Sequence, residues 1–391
     1  MTPKGFGFRM LCKMDRVAEI CALGASILML LESPGAAAEV PSPIATAWPE
    51  ADSLFRRDPF WVGSDDAYSV DLGHGRVAWL FADTFIDPSG KHERHGAVFI
   101  RNSLAIQKGH NPASASIKFY WGRRDGRPGS FFPETETEWY WPGGGTLVKG
   151  HLILFLMRVR AVSGGLGFEA FGSAAALIDN PGAEPSEWRS RLCPIPENAR
   201  HVVPGSGSSF AEGGHLYAFG STEPGRHDIY VNRWPLSSAL GGRFDEPQWW
   251  AGESNWAAQS RPGPPARISF SDGATEFTVH FSKRFHRYLE FQTVGFGAAI
   301  VAMRSAGRLT GPWSAPRAIF TPPEKNRPRI MIYAAKAHPE LTGSDLVLTY
   351  ATNSFELADV IQDQTLYYPR FVRLVFAKAA GPRGKTVAAW K

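Results

Sequence analysis

Two aspartates stand at matching ends of one hairpin-like stretch, "GSDDAYSVDLGHGRVAWLFADTF", residues 63–85. Asp65 opens its first β-branched and aromatic run, and Asp83 closes the second. Acidic residues are depleted inside strands, and like charges set opposite one another are destabilising, so this pair calls for a compensating role. With Gly73-His74-Gly75 as a three-residue turn, Leu72 faces Arg76, and the same register sets Asp65 opposite Asp83. Carboxyl groups that close titrate together, one keeping its proton while the other ionises. That is the equipment of glycoside hydrolysis, in which one carboxyl protonates the leaving oxygen and the other attacks or activates water. Turn capping and cation binding use the same residue types, and the hairpin alone supports either reading.

The elements that must position these groups are strands. From Arg57 to about Lys378 the chain lacks long stretches of helical period. It shows short β-branched and aromatic runs broken by Gly, Pro, Asn and Asp turns. Five runs share one form: "VAWLFADTF" (77–85), "HLILFLMRV" (151–159), "HLYAFGST" (215–222), "EFTVHFSKR" (276–284) and "DLVLTYATN" (345–353). They recur at intervals of roughly 60 to 75 residues, compatible with looped four-stranded blades. Five such units predict an all-β fold, a five-bladed β-propeller over residues 57–380, with a β-sandwich as the competing architecture. Residues 39–56 read as an extended N-terminal arm and 381–391 as a C-terminal tail.

Residues 1–38 have the order of a signal peptide: basic residues, the apolar run "CALGASILMLL", then Ala36-Ala37-Ala38 as a small-residue cleavage site. The run is short for a bilayer span, which needs about 20 apolar residues, so export to the periplasm or medium is expected over a plain anchor. No stable membrane span is expected in the mature chain. Cys12 and Cys21 lie in the leader, which leaves Cys193 without a disulfide partner and reads as a buried structural thiol. The formal charge of +5 is scattered rather than gathered in a stripe, which argues against a nucleic-acid partner. "GLGFEAFG" lacks dinucleotide-binding spacing, "GSGSSF" is no nucleophile elbow, and "HERH" (92–95) lacks zinc-peptidase spacing and reads as a solvated loop.

The stretch "WVGSDDAYSVDLGHGRVAWLFADTFI", with "RNSLAIQ", "YWPGGGTLV", "YAAKAHPEL" and "YYPRFVRLVF", resembles a family of secreted bacterial five-bladed propellers that includes endo-D-arabinanases. These look like relatives of the wider arabinanase, xylosidase, invertase and levansucrase propellers. The resemblance implies catalytic aspartates at Asp65 and Asp83, although "SDD" and Ala82 stand where "GDG" and glycine are usual, making Asp66 an extra acid. It implies a third acid from a middle blade, for which Glu290 in "RYLEFQT" is the candidate, a strand-edge charge being the alternative. It places His338 near the axis as a substrate-binding residue or cation ligand, leaving room for a bound cation such as calcium. Asn102, Trp141 and Tyr333 take blade-entry or inner-strand places from which to stack on, or hydrogen-bond, a sugar. The expectation is an exported, monomeric hydrolase of a furanose-containing poly- or oligosaccharide, foremost an arabinan. A non-catalytic glycan- or protein-binding propeller is the rival reading, because fold does not imply activity.

Overall fold

A computed structural model describes residues 40–377, which form five antiparallel sheets arranged as the blades of a propeller. Blade 1 runs through Trp61–Gly73, Arg76–Ile86, Ser103–Lys108 and Ser116–Tyr120. Blade 2 follows with Glu138–Val148, His151–Ala161, Phe168–Ile178 and Ser190–Pro194. Blade 3 begins with Val202–Glu212 and His215–Thr222 and ends in an extra short strand, Trp256–Ala258. Blade 4 contains Thr278–Ser282, Arg287–Val294, Ile300–Ala306 and Arg317–Phe320. Blade 5 is built from Ile330–His338, Leu346–Ser354 and Arg370–Phe376.

The fourth strand of blade 5 comes from the other end of the described chain. Pro43–Ala47 pairs antiparallel with Arg370–Phe376, from Pro43 against Phe376 to Ala47 against Val372. The segment read as an extended arm therefore belongs to the propeller, and it closes the ring. A last blade completed by the first strand leaves no gap at which the circle can open. The expected signal peptide, its cleavage site and the expected tail at 381–391 lie outside the described residues.

Four of the recurring runs are second strands of their blades, largely buried on both faces, whereas "EFTVHFSKR" carries the inner strand of blade 4 and leaves Phe281 exposed. Along "HLILFLMRV" successive side chains point to opposite sides of the sheet. Leu152, Leu154 and Leu156 pack with Val70, Leu80 and Leu104 of blade 1, while Ile153 and Phe155 pack with Leu216, Ala218 and Trp234 of blade 3. Similar clusters fill the joins between blades 3 and 4, 4 and 5, and 5 and 1. The core is thus a ring of five inter-blade layers rather than one central mass.

At the axis the innermost strands approach backbone to backbone. A Cβ on Gly143 would stand 2.1 Å from the Gly205 carbonyl oxygen, and one on Gly144 would stand 2.3 Å from that of Gly207. The glycines of "WPGGG" and "PGSGS" are what allow blades 2 and 3 to meet there. Cys193 is buried and free, and burial pushes its thiol up, as expected of a structural cysteine. "HERH" departs from a solvated loop: Arg94 is 1% exposed, and His92 is bonded to the Asp58 carbonyl and the Tyr368 hydroxyl.

Candidate active site

The blade-1 hairpin positions its acids through irregularities that its sequence does not announce. The turn is two residues, His74-Gly75, both at positive φ, with Gly73 opposite Arg76 and Leu72 bulged out. From Asp71–Val77 to Tyr68–Leu80 the pairing then follows the expected register. A second bulge follows, in which Asp66 (φ 71°) pairs with Phe81 and Ala67 (φ 70°) is the extra residue. Beyond it Ser64 pairs with Thr84, so Asp65 lies against both Ala82 and Asp83 instead of forming a simple cross-strand pair. The expected direct opposition of Asp65 and Asp83 is corrected accordingly. They remain neighbours, and the Asp83 charge is the largest electrostatic influence on Asp65.

Asp65 is gripped from one side. The Tyr333 hydroxyl donates to its Oδ2 at 2.6 Å and the Tyr367 hydroxyl at 3.3 Å, while Asn353 Nδ2 donates to the Tyr333 oxygen at 3.2 Å. Its Oδ1 is buried without a hydrogen-bond partner. Burial, then the charges of Asp83 and Glu276, hold the Asp65 carboxyl well above the ordinary carboxylate range. Arg94 braces this arrangement by donating to the carbonyls of Val62, Val360, Asp363 and Leu366, which tie blade 1 to the segment carrying Tyr367.

Asp83 has a different environment. Trp141 Nε1 donates to its Oδ1 at 2.9 Å, and the Arg101 guanidinium lies 3.3 Å from Oδ2. Burial pushes the carboxyl up to about 6, against the pull of Arg101 and Trp141. Arg101 also stacks over Trp139 at 4.1 Å, and Trp141 meets Phe168 edge-on at 4.8 Å, giving the site an aromatic wall on the blade-2 side. Tyr68 ties three blades together: its hydroxyl donates to the Ser206 carbonyl of blade 3 and receives the amide of Phe277, which leads into blade 4. A cavity of about 490 Å³ lies at the far ends of the inner strands, lined by Tyr68, Ser69, Glu212, Tyr288 and Glu340 and by none of the clustered acids.

The third acid is Glu276, which the sequence reading passed over. It stands two residues before the inner strand of blade 4, as Asp65 lies near the start of that of blade 1. Its carboxylate acts on both Asp65 and Asp66 and stands 3.8 Å from Lys336 Nζ. Its equivalence to Asp65 in the repeat was the signal that could have found it. Glu290 lies elsewhere. It is fully buried in the second strand of blade 4, 3.7 Å from Arg304, and burial raises its carboxyl to about 8. Arg304 in turn donates to the carbonyls of Ser271 and Asp272, so Glu290 supports the loop that delivers Glu276.

Of the expected sugar contacts, Trp141 and Tyr333 join the aspartates and two others do not. Asn102 is fully buried, its amide donating to the carbonyls of Phe132 and Tyr140 and accepting from the Phe132 amide. It clamps the loop between blades 1 and 2. Asn102→Ala is expected to cost on the order of 2–3 kcal/mol of unfolding free energy in urea titrations, because it strands several buried backbone groups. His338 ends the inner strand of blade 5. Its ring is fully buried, Nδ1 at 2.6 Å from Ser69 Oγ and Nε2 at 2.8 Å from Thr349 Oγ1, against Trp79. With both nitrogens occupied and burial pushing the ring's pKa down to about 3, it joins blades 5 and 1 and offers no free ligand atom. Among the described residues, no group of three or more His, Cys, Asp and Glu side chains could hold a metal ion.

The profile of a domain of unknown function, DUF5005, matches residues 50–378. No curated protein matches the chain significantly. Among solved structures, a Bacteroides ovatus ATCC 8483 protein with a provisional hydrolase assignment superposes with a TM-score of 0.63 at 18% identity, covering 84% of this chain and 90% of its own, a likeness of fold. An α-L-arabinofuranosidase from Lactobacillus brevis gives 0.47 at 13%, covering 83% and 93%. An endo-arabinase from Bacteroides thetaiotaomicron VPI-5482 gives 0.43 at 11%, covering 88% and 99%.

Proposed function

Starting from a chain that belongs to the DUF5005 family, we propose that this propeller is an exported, monomeric glycoside hydrolase that cleaves a furanose-containing glycan, foremost an arabinan. The observation that carries the reading is the convergence of Asp65 and Glu276, at the entry ends of inner strands, with Asp83 from the second strand of blade 1, beside the aromatic wall of Trp139 and Trp141. Three carboxyls so placed hold proton and charge unequally, as acid-assisted cleavage of a glycosidic bond requires.

The partners of each group suggest its role. Asp83, fixed by Trp141 and Arg101, is the anionic member that attacks the anomeric carbon or activates water. Asp65 keeps the proton on Oδ1, the atom left without a partner, and gives it to the leaving oxygen. Glu276 adds to burial and to the Asp83 charge in keeping Asp65 protonated. The ring of the sugar would lie on the tryptophan face, which offers apolar area for its C–H bonds. No helix among the described residues is long and apolar enough to cross a membrane. Export rests on the leader sequence, and N-terminal sequencing of secreted material should find a mature start near Glu39.

The test is release of reducing ends from arabinan, fructan and xylan by the purified protein. Cleavage of arabinan supports the proposal, and cleavage of another furanose glycan alone would reassign the substrate. Tight binding without cleavage would identify a glycan-binding propeller. On the active substrate, kcat/KM is expected to rise as pH increases through about 6, where Asp83 ionises.

A further inference from the structure

We propose that Lys336 is a tethered cation at the base of the acid cluster, seated in an oxygen-lined hole that would take a free primary ammonium ion if the side chain were removed. Its role as a positioning residue for Asp66 and Glu276 rests on the hydrolase reading; the ammonium hole itself does not.

Lys336 and Asp66 are both buried, on facing inner strands of blades 5 and 1. The ammonium stands 2.5 Å from Asp66 Oδ1, 3.1 Å from the Asp66 carbonyl and 3.3 Å from that of Ala334. The two carbonyls accept hydrogen bonds from the ammonium, and the Asp66 carboxylate is its ion-pair partner. The Glu276 carboxylate lies further out, at 3.8 Å, and the Tyr68 ring lies beneath at 4.4 Å to its centroid. Carbonyl, carboxylate and aromatic face together make a cation receptor, already filled by the chain.

Two features set this pair apart from ordinary core support. A buried ion pair is weak evidence for stability, since well-packed apolar residues often do as well or better. Here both strands also leave regular geometry to bring the charges together: Asp66 and Ala67 lie at φ 71° and 70°, and Ala334 at 54°. Non-glycine residues in that region are strained, and strain of this kind concentrates at functional sites. The bulge that turns Asp66 inward also leaves Asp65 beside Asp83. Lys336 therefore holds Asp66 in place, attracts Glu276, and supplies positive charge beneath several carboxyl groups.

Lys336→Ala tests the receptor without reference to activity. In 100 mM methylammonium chloride its melting temperature is expected to rise by about 2–5 °C relative to sodium chloride of equal ionic strength. The same salt should leave the wild type unchanged, and tetramethylammonium, which has no N–H donors, should leave both unchanged. No selective effect on the folded variant would overturn the receptor. If Lys336→Ala does not fold, the Lys336→Met/Asp66→Asn protein, which removes both buried charges, carries the decision. On a glycan that the wild type cleaves, its kcat should fall at least about 100-fold with KM within about threefold. Retained turnover in a folded double variant would reduce Lys336 to a structural ion pair. A wild type that cleaves no glycan would instead count against the hydrolase reading, leaving the thermal result on Lys336→Ala to stand by itself.

Discussion

Asp65→Asn and Asp83→Asn are each expected to lose about 10²–10⁴-fold in kcat on a glycan that the parent cleaves, with melting temperatures unchanged or raised. Both substitutions keep shape and remove the ability to hold or deliver a proton. In the Asp83→Asn protein the new amide oxygen can still accept the Trp141 N–H, and in the Asp65→Asn protein it can still accept the Tyr333 hydroxyl. The stability half of the expectation follows from the direction of the shifts. Both carboxyls are raised in the folded protein, Asp83 to about 6 from an ordinary value of 3.8. The folded state thus binds their protons more tightly than the unfolded chain does. For Asp83, the contribution to stability is fully present below about pH 4 and is lost as pH rises through about 6. Near pH 7 the asparagine variant no longer bears that cost, and its melting temperature should vary less between pH 4 and 6 than the parent's. Thermal melts across that range, with initial rates at neutral pH, check both halves. A capping role would give the opposite pattern, a loss of about 0.5–2 kcal/mol with catalysis retained.

Glu276→Gln and Glu290→Gln should separate sharply. The first removes a carboxylate that acts on Asp65, and its kcat is expected to fall about 10²-fold or more while the fold persists. The second replaces a buried group that, with its carboxyl at about 8, is mostly neutral at pH 7, so turnover there should stay within about threefold of wild type. Glu290 is also raised, from an ordinary 4.5, so its contribution to stability is lost as pH climbs through about 8. Above that point, near pH 9, the Glu290→Gln protein should melt at or above the temperature of the parent. Equal kinetic effects of the two substitutions would remove the distinction drawn between the site and its scaffold.

The contrast between these glutamates also marks where the sequence stops being legible. Four of the five strand runs announce the propeller because a second strand must be apolar on both faces, a demand that composition and spacing record directly, while "EFTVHFSKR" marks blade 4 by its inner strand instead. The closing strand Pro43–Ala47 does not announce itself, because an outermost strand buries little and "PIATA" carries no strong pattern. The hairpin gives the right neighbourhood for Asp65 and Asp83 but the wrong pairing. Its bulges fall at Leu72 and at Asp66-Ala67, and no glycine marks the latter. Glu276 stands just ahead of its strand, at the edge of the run "EFTVHFSKR", whereas Glu290 sits within a strand where an acid draws the eye. Only the partner Arg304 reveals that the strand acid is scaffold. His338 and Asn102 have the chemistry of ligand-binding groups, but neighbouring hydroxyl or backbone groups occupy their polar atoms. Tyr367 lies in a quoted motif, yet its role depends on how Arg94 folds the preceding loop, a contact no local pattern records.

Asp83→Ala in the presence of azide tests the central claim most directly. On the proposed role of Asp83, the shortened side chain would leave space in which a small anion can act in place of the lost carboxylate. The account predicts that this variant is folded and nearly inactive on the glycan cleaved by the parent, and that azide restores turnover with a glycosyl azide as product, detected by mass spectrometry. A folded Asp83→Ala protein that cleaves the glycan at the parental rate without azide, yielding only the ordinary hydrolysis product, would contradict it.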